Sequence, residues 1–273
     1  MTDERQRPQP PAEPAGHGLL AGKVAVVTAA AGTGIGSAAA RRLLVEGAEV
    51  VISDAHERRL GETAAELGEL AETIGSATSG EQPLAVPCDV TDEVQVQELF
   101  TAAVERHGRI DVVVNNAGLG GTADLVDMTD DQWHRVVDVT LTGTFRCTRS
   151  ALRILCHQGL GVIVNNASVL GWRAQAGQAH YAAAKAGVMA LTRSAALEAA
   201  PFGVRVNAVA PSLAMHPFLA KVTSDELLDE LAGREAFGRA AEPWEVATVI
   251  AFLASDYSSY MTGEVVSVSS QHP

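Results

Sequence analysis

Tyr181 and Lys185 stand four residues apart in a stretch of small side chains, AHYAAAKAG, at positions 179–187. Alanine is the best helix former, so the stretch is predicted to be helical, and residues four apart then lie on one face. A phenol with an ordinary pKa of about 10 is a poor base at neutral pH, but a nearby ammonium favours its ionised form. For an isolated pair, a solvated lysine beside a packed tyrosine is the favoured interpretation, so the rest of the chain has to decide.

Three glycines, Gly32, Gly34 and Gly36, lie where the first apolar run gives way to a helical stretch, in TAAAGTGIGSAAARRLL at 28–44. Without Cβ atoms the backbone can turn sharply and approach a pyrophosphate, which the N–H groups at a helix start can bind. A glycine-rich turn alone is a weak signal. This one opens the first strand–helix unit, which is where a dinucleotide-binding turn belongs.

Asp54 ends the second apolar run. A carboxylate at that place accepts hydrogen bonds from the adenosine ribose hydroxyls and repels the 2′-phosphate of NADP. NAD is therefore the predicted cofactor. His56, Arg58 and Arg59 follow closely and keep NADP open as the alternative.

Short β-branched runs alternate with alanine- and leucine-rich stretches from Leu19 onward. The β-branched runs are at 23–28, 49–53, 84–88, 111–115, 161–166, 204–210 and 264–269. The stretches of helical length are at 34–47, 57–73, 92–107, 129–157, 176–200 and 243–255. Continuous valine and isoleucine runs suit strands that are buried on both faces, and their alternation with helices predicts a parallel sheet with right-handed crossovers. We predict an α/β fold, a single doubly wound Rossmann domain over 19–273 whose mainly parallel seven-stranded sheet has helices on both faces.

Two segments depart from this alternation. Residues 1–18 contain four prolines and few bulky apolar side chains, so we expect a disordered tail. Residues 212–240 are mixed in character, with a short amphipathic helix around 224–232, and follow the carboxyl end of a predicted strand, where ligands bind in open α/β sheets. We interpret 212–240 as a substrate lid, with a decorative surface loop as the alternative.

Charge and composition exclude several classes of function. The net charge of −13 repels phosphate backbones, so no nucleic-acid partner is expected. The three cysteines are far apart, have no metal-ligand spacing and are interpreted as buried reduced thiols. No apolar run of about twenty residues predicts a membrane span, and the proline-rich start does not resemble a signal peptide. We therefore expect a cytoplasmic protein without a bound metal.

The motifs taken in order resemble the short-chain dehydrogenase/reductase family, from about residue 20 to the end. After the glycine-rich turn come CDV (88–90), NNAG (115–118), Ser168, the Tyr181-x-x-x-Lys185 pair and NAVAP (207–211). Each motif is weak alone, but their order and spacing are specific. The resemblance implies hydride transfer with a nicotinamide cofactor, on a small-molecule substrate, by a homotetramer.

The resemblance also implies roles for single residues. Tyr181 would exchange a proton with the substrate oxygen, Ser168 would hydrogen-bond that oxygen, and Lys185 would hold the nicotinamide ribose and, together with oxidised nicotinamide, lower the pKa of Tyr181. The catalytic set it implies is Ser168, Tyr181, Lys185 and Thr140. The cofactor-binding set it implies is Thr28, Gly32, Gly34, Ile35, Gly36, Asp54, Asp89, Val90, Asn116, Ala117, Gly118, Tyr181, Lys185, Pro211, Ser212 and Ala214.

The chain departs from the family pattern at several of these places. The glycine turn is one residue longer than usual and has Ala29 in place of the first glycine, which puts the path of the turn in question. Thr140 replaces an asparagine that normally holds a relay water, so we expect the proton to take another route, because a hydroxyl cannot copy an amide. Ser212 follows Pro211 where glycine is usual, and His216 replaces a threonine. For His216, a cofactor contact, a substrate contact and a plain loop position all stay open.

Four segments together resemble an actinobacterial subgroup that oxidises a ring hydroxyl on a steroid-derived carboxyl-CoA thioester: TAAAGTGIG, NNASVLGWRAQ, the loop with Ser212 and His216, and the ending SSQHP. The apolar residues that fit a bulky alicyclic substrate are Trp172, Leu213, Met215, Phe218 and Leu219. Arg173 could reach a CoA phosphate, although an ordinary surface arginine is the simpler interpretation. Two alternatives stay open: an NADPH-dependent 3-oxoacyl thioester reductase, against which Asp54 argues, and a catalytically silent cofactor-binding sensor or scaffold, against which the intact Ser168, Tyr181 and Lys185 argue.

Overall fold

A computed structural model describes residues 8–74, 82–215 and 225–270. Seven strands lie in these ranges: β1 Val24–Thr28, β2 Glu49–Asp54, β3 Leu84–Pro87, β4 Val112–Asn115, β5 Gly161–Asn166, β6 Val204–Pro211 and β7 Val265–Val268. The α-helices are α1 Ile35–Val45, α2 Glu57–Ile74, α3 Glu93–His107, α4 Asp130–Val137, α5 Gly143–Gln158, α6 Ala179–Ala199, α7 Asp225–Arg234 and α8 Pro243–Ala254. The predicted alternation of strands and helices is confirmed.

The strands form one sheet in the order β3-β2-β1-β4-β5-β6-β7, and every neighbouring pair is parallel. The chain runs outward from β1 in one direction and then resumes on its other side at β4. This reversal leaves a crevice beyond the carboxyl ends of β1 and β4, the place where open α/β sheets bind their ligands. The doubly wound fold predicted from the sequence is confirmed.

Helices cover both faces of the sheet because alternate strand residues point to opposite sides. On one face, residues such as Val27 and Ile52 pack against α1, α2 and α8. On the other face, residues such as Val26 and Ile163 pack against α3, α5 and α6. Strands buried on both faces explain the unbroken valine and isoleucine runs in the sequence.

The stretch at 129–157, predicted as one helix, is divided in the structure. Thr129 and Gln132 form a capping box that begins α4, and a π-helical turn at Asp138–Thr142 separates α4 from α5. A π-turn inserts a residue into the helical ladder and often marks a functional site. Sequence periodicity did not indicate it.

The end of the tail predicted as disordered makes defined contacts, which differs from the expectation. The guanidinium of Arg42 donates to the carbonyls of Pro14 and Ala15, and Glu46 accepts from the N–H of His17 at 2.9 Å. Arg42 and Glu46 pair with each other and are 2% and 0% exposed. A buried ion pair needs further hydrogen bonds, and the tail backbone supplies them; residues 1–7 lie outside the described ranges.

Burial alone would raise the pKa of the Glu46 carboxyl. The N–H groups of His17 and Leu19 and the guanidinium of Arg42 outweigh it and hold that pKa below its ordinary value. The carboxylate therefore stays ionised inside the protein.

Of the predicted lid, the structure describes residues 212–215 and 225–240, and its two ends are bonded to each other. Ala214 pairs with Ala241 in a parallel bridge, in which the N–H of Met215 donates to the carbonyl of Ala241 at 2.9 Å. Helix α7 matches the amphipathic helix predicted near 224–232. The segment therefore leaves the end of β6 and returns to the start of α8, at the edge of the sheet that holds the crevice.

The three cysteines are free: Cys88 and Cys147 are buried and Cys156 is half-buried. Burial raises the pKa of the Cys88 thiol to about 12, so it stays protonated at neutral pH. None of the described helices combines the length and apolar character that crossing a membrane requires.

Candidate active site

The glycine-rich turn leaves β1 through Ala29, whose φ of 50° is left-handed. Ala29 is the non-glycine residue with positive φ in the described part of the chain, and it occupies the place where glycine would be expected. The turn then lies on its neighbours: the N–H of Ala30 donates to the carbonyl of Ser53 at 2.9 Å, and the N–H of Gly32 to Oγ1 of Thr63 at 3.0 Å. The path that the sequence left in question is therefore a left-handed residue followed by a loop braced on β2 and α2.

The three glycines serve two different purposes. A Cβ at Gly32 or Gly34 would have no heavy atom of the described residues within 4 Å, so the backbone here faces open space at the start of α1. At Gly36, a Cβ would collide with the carbonyl of Ala29 and with Nδ2 of Asn116. The first two positions form a cradle with room for a phosphate beside the N–H groups of a helix start. The third allows α1 to pack closely on the ends of β1 and β4.

Asp54 lies under the turn at the end of β2. Its Oδ2 accepts from the N–H of Ala31 at 3.2 Å, and its Oδ1 accepts from the N–H of His56 at 2.9 Å. Burial raises the pKa of this carboxyl above its usual value, although the N–H groups of Ala31 and Ala55 and the charge of Arg59 oppose the shift. Asp54 therefore supports the glycine-rich turn by accepting from the N–H of Ala31.

Thr28, at the end of β1, fastens the two strands on either side of the crevice. Its hydroxyl accepts from the N–H of Asn116 at 3.0 Å and from the N–H of Ala117 at 3.2 Å. Three predicted cofactor-binding residues are thus brought together by one hydroxyl. The segment NNAG forms the β4 wall of the crevice.

Tyr181 and Lys185 extend from the first two turns of α6 toward the end of β5. Ser168 lies just after β5 within hydrogen-bonding reach of the Tyr181 hydroxyl. The ammonium of Lys185 is 5.6 Å from the centre of the Tyr181 ring. The three predicted catalytic residues therefore meet on one side of the crevice.

The two acid–base groups have shifted pKa values. Burial raises the pKa of the Tyr181 phenol, although the Ser168 hydroxyl partly opposes this. Burial lowers the pKa of Lys185 to about 8. The protein without a cofactor therefore does not make Tyr181 a stronger acid, and the expectation that Lys185 and a bound cofactor together lower this pKa stays a prediction. Additional positive charge, such as that of an oxidised nicotinamide, would favour the phenolate.

Lys185 is held away from solvent, with 3% of its surface exposed. Its Nζ donates to the backbone carbonyl of Asn166 at 2.5 Å, and a Cβ at Gly118 would lie 3.3 Å from that Nζ. Because residue 118 is glycine, no side chain at that position crowds the ammonium of Lys185. Perturbed pKa values at a buried lysine and a half-buried tyrosine in a crevice are typical of a catalytic site.

The comparisons with known proteins agree with this geometry. A family model described as enoyl-(acyl carrier protein) reductase matches residues 29–270. The crystal structure of a short chain dehydrogenase from Mycobacterium smegmatis is 61% identical in sequence, covers 97% of this chain and 99% of its own, and has a TM-score of 0.84. The chain belongs to the short-chain dehydrogenase/reductase family. As a member of this family it is an oxidoreductase that acts on a small molecule with a nicotinamide dinucleotide, NAD or NADP.

Two curated relatives within the short-chain dehydrogenase/reductase family carry specific names. A protein of Mycobacterium tuberculosis (strain ATCC 25618 / H37Rv) is 68% identical over 265 residues, 96% of this chain and 98% of the relative; it is named (5R,7aS)-5-hydroxy-7a-methyl-1-oxo-2,3,5,6,7,7a-hexahydro-1H-indene-carboxyl-CoA reductase. The cis-4-hydroxycyclohexanecarboxylate dehydrogenase of Sinomonas cyclohexanicum is 44% identical over 250 residues, 91% of this chain and 96% of the relative.

Thr140, which replaces the family's asparagine, lies in the π-turn and is 0% exposed. Its hydroxyl accepts from the N–H of Leu119 at 3.0 Å and donates to the carbonyl of Leu119 at 3.2 Å. One hydroxyl thus binds both polar groups of a single peptide residue, the combination of donor and acceptor that an amide side chain also has. The geometry assigns Thr140 to holding the loop after β4.

The remaining predicted cofactor positions lie around the crevice. Asp89 is exposed and accepts from the N–H and hydroxyl of Thr91 at 2.9 and 2.8 Å, whereas Val90 is buried. Pro211 ends β6, and the N–H of Ser212 donates to the carbonyl of Val268 at 3.2 Å. His216, Phe218 and Leu219 lie outside the described residues, as does the end of the chain at 271–273.

Sequence reasoning missed two residues that contact the catalytic group. His180 is buried, and its Nδ1 accepts from the N–H of Tyr181 at 2.9 Å. Asn166 provides the carbonyl that binds Lys185. A signal for Asn166 was present, since NN occurs at 115–116 and again at 165–166, each time at the end of an apolar run.

Proposed function

We propose that the protein interconverts a ring hydroxyl and a ring ketone on an alicyclic carboxyl-CoA thioester derived from a steroid nucleus, with NAD as cofactor. The observation that carries this proposal is the 68% identity, over nearly the whole of both chains, to a reductase whose name specifies a hydroxy-methyl-indene carboxyl-CoA. The name of the 44% identical relative also specifies a hydroxylated carbocyclic acid. Two relatives named for ring alcohols support a ring alcohol here.

The glycine turn and the surrounding residues fit a dinucleotide. The open cradle at Gly32 and Gly34 would take the pyrophosphate, with Ile35 and Gly36 at the start of α1. Asp89 and Val90 would flank the adenine, and Thr28, Asn116, Ala117 and Gly118 would line the middle of the cleft. Pro211, Ser212 and Ala214 would lie along the nicotinamide end. When bound, the nicotinamide supplies or accepts the hydride.

The side chains of this protein would handle the proton. The Tyr181 hydroxyl gives a proton to the ketone oxygen during reduction, or removes one from the alcohol during oxidation. Ser168 donates a hydrogen bond to the same oxygen and so stabilises the charge that develops there. Lys185, charged at neutral pH because its pKa is about 8, favours the phenolate and binds the nicotinamide ribose.

We infer a preference for NAD over NADP from Asp54. Its carboxylate is fixed by two backbone N–H groups at the end of β2, so it cannot easily turn away from a 2′-phosphate. A fixed negative charge at this place disfavours a second one. The 3-oxoacyl reductase alternative finds support in a 39% identical 3-oxoacyl-[acyl-carrier-protein] reductase of Thermotoga maritima, but the much higher identity to the indene carboxyl-CoA reductase favours the ring substrate.

The segment 212–240 is proposed as the substrate lid. Its two described ends are bridged at Ala214 and Ala241, next to Ser212, which supports a segment that lies over the crevice. Trp172, which is 52% exposed, follows Ser168 on the facing loop and would offer an aromatic surface to the rings. Arg173 beside it would be the basic residue for a CoA phosphate.

We also propose a homotetramer in the cytoplasm, where NAD and CoA thioesters are found. Exposed apolar side chains on α3, α5 and α6, among them Val94, Phe145 and Leu197, support burial of these helices between subunits. Light scattering at micromolar concentration should give four times the 28.5 kDa of one chain. A monomer would contradict the tetramer without affecting the reaction proposed.

One assay tests the reaction and the cofactor together. Steady-state rates are measured with NAD and NADP on a hydroxylated methyl-hydrindane carboxyl-CoA, a 3-hydroxyacyl-CoA and a free steroid alcohol. We expect the highest kcat/KM for NAD with the hydrindane thioester. A higher kcat/KM for NADP with 3-hydroxyacyl-CoA would replace the proposal with the acyl reductase.

A further inference from the structure

The dipeptide NN occurs at the carboxyl ends of two adjacent strands. Asn115 on β4 is the register partner of Asn165 on β5, and Asn116 and Asn166 follow them. Because successive residues of a strand point to opposite faces, the two pairs serve opposite sides of the sheet.

The first pair faces α5 and α6. Nδ2 of Asn115 donates to Oδ1 of Asn165 at 2.9 Å and to Oγ1 of Thr148 at 3.0 Å. Nδ2 of Asn165 donates to Oγ1 of Thr192 at 2.9 Å. All four residues are buried. This pair fastens the sheet to two helices, and its function is structural.

The second pair faces the glycine turn. Nδ2 of Asn116 donates to the carbonyl of Ala29 at 3.0 Å, and Nδ2 of Asn166 donates to Oδ1 of Asn116 at 2.8 Å. The backbone carbonyl of Asn166 accepts from Nζ of Lys185 at 2.5 Å. A continuous series of hydrogen bonds therefore leads from the turn to the catalytic lysine.

The direction of this series is set at its Ala29 end. A carbonyl can only accept, so Asn116 must present its NH₂ to Ala29 and its oxygen to Asn166. Asn166 must then present its own NH₂ to Asn116. Among the described residues, Oδ1 of Asn166 has no hydrogen-bond partner. Replacing the Asn166 amide therefore removes one contact, the one with Asn116.

The contact between Asn116 and Asn166 matters for the backbone conformation of Ala29. Its φ of 50° is a conformation that a residue with a Cβ adopts at a cost and keeps only when its surroundings hold it. The hydrogen bond from Asn116 holds its carbonyl, and α1 packs against the same carbonyl because position 36 is glycine. The phosphate turn therefore depends on the orientation of Asn116, which Asn166 holds in turn.

We propose that Asn166 is a positioning residue that couples the left-handed conformation of the phosphate-binding turn at Ala29 to the position of Lys185. The proposal rests on the dinucleotide site proposed above. It predicts that the side chain of Asn166 matters most when residue 29 has a Cβ, because glycine adopts the left-handed conformation without support.

A double-mutant cycle tests the Ala29 end. Asn166→Leu, which has nearly the same shape without the amide, is combined with Ala29→Gly. Melting temperature is measured without cofactor, and NADH affinity is measured by its fluorescence. In the native background Asn166→Leu should weaken NADH binding by about fivefold, and in the Ala29→Gly background by less than about twofold. The loss of melting temperature should likewise be smaller in the Ala29→Gly background.

The pH dependence of kcat tests the Lys185 end. Asn166→Leu should move the pH midpoint of kcat, since it loosens the strand end whose carbonyl binds the ammonium. The matched control is Asn165→Ala, or the milder Thr148→Val, in the structural pair on the opposite face. These controls should lower the melting temperature while leaving the NADH affinity within twofold and the pH midpoint in place.

Additive effects of Asn166→Leu and Ala29→Gly on both melting temperature and affinity would overturn the coupling, and so would an unmoved pH midpoint. Asn166→Ser serves as a second variant should the leucine prevent folding. If the native protein binds neither NADH nor NADPH, the proposed function fails. The melting-temperature cycle then still decides whether Asn166 and Ala29 are coupled, because it needs no cofactor.

Discussion

Lys185→Met should make the protein more stable and inactive. Burial lowers the pKa of Lys185 from 10.5 to about 8, which corresponds to about 3 kcal/mol of unfavourable free energy for keeping the ammonium inside at neutral pH. Methionine fills similar volume without charge. Losing the hydrogen bond to the Asn166 carbonyl costs about 1–2 kcal/mol, so the unfolding free energy should rise by about 1–2 kcal/mol at pH 7.

The pH dependence gives this prediction its specific signature. Between pH 8 and 10.5 the unfolded chain still binds a proton at Lys185 that the folded protein has lost. Stability of the native protein therefore rises with pH through this window, and the penalty is fully present below it. By pH 9.5 about 2 kcal/mol of the penalty should have disappeared, so the advantage of Lys185→Met should vanish or reverse.

Urea unfolding followed by circular dichroism, at pH 7, 8, 9 and 9.5 and one fixed protein concentration, measures this difference. All other titrating groups are shared and cancel when the two proteins are subtracted. Tyr181→Phe is the control, because it alters the same cluster but leaves the ammonium, and it should keep the native slope over this range. A difference between native protein and Lys185→Met that does not change with pH would refute the reasoning.

Other predictions concern the cofactor, the proton, the loop after β4 and the tail. Asp54→Ala with Ala55→Arg should shift kcat/KM from NAD toward NADP by about tenfold or more; native protein that already prefers NADP would contradict the role of the carboxylate. Tyr181→Phe should bind NADH normally but lose activity by about a hundred- to ten-thousandfold, whereas turnover within threefold of native would exclude Tyr181 as the proton donor. Thr140→Val should lower both kcat and melting temperature, because it removes the hydroxyl that bonds the N–H and the carbonyl of half-buried Leu119, at about 1–3 kcal/mol in total, and Thr140→Ser should restore both; a valine variant with native kcat would show that the loop needs no such support. Deleting residues 1–16 should destabilise the protein by about 1–3 kcal/mol by removing the Pro14 and Ala15 carbonyls that accept from the buried guanidinium of Arg42, and deleting 1–12 should not; equal melting temperatures for the two truncations would show that these tail contacts do not stabilise the protein.

Much of the fold was predictable because its signals are local. Valine runs buried on both faces, separated by amphipathic stretches, predict a parallel doubly wound sheet, and the seven strands lie within two residues of their predicted limits. The Tyr181–Lys185 pair was predictable because helical spacing places both side chains on one face. The glycine turn followed from the backbone freedom of its residues and its place after β1.

Tertiary structure decided the features that depend on contacts between distant parts of the chain. The π-turn at Asp138–Thr142 divides a stretch that reads as one helix, and there Thr140 reaches Leu119. The buried charges of Arg42 and Glu46 hold residues of a proline-rich tail that composition alone assigns to disorder. Ala29 can keep its left-handed conformation because the distant side chain of Asn116 bonds its carbonyl. Local conformational preferences, which can be read from the sequence, disfavour these arrangements. The hydrogen bonds that stabilise them form between distant residues and exist only in the folded chain.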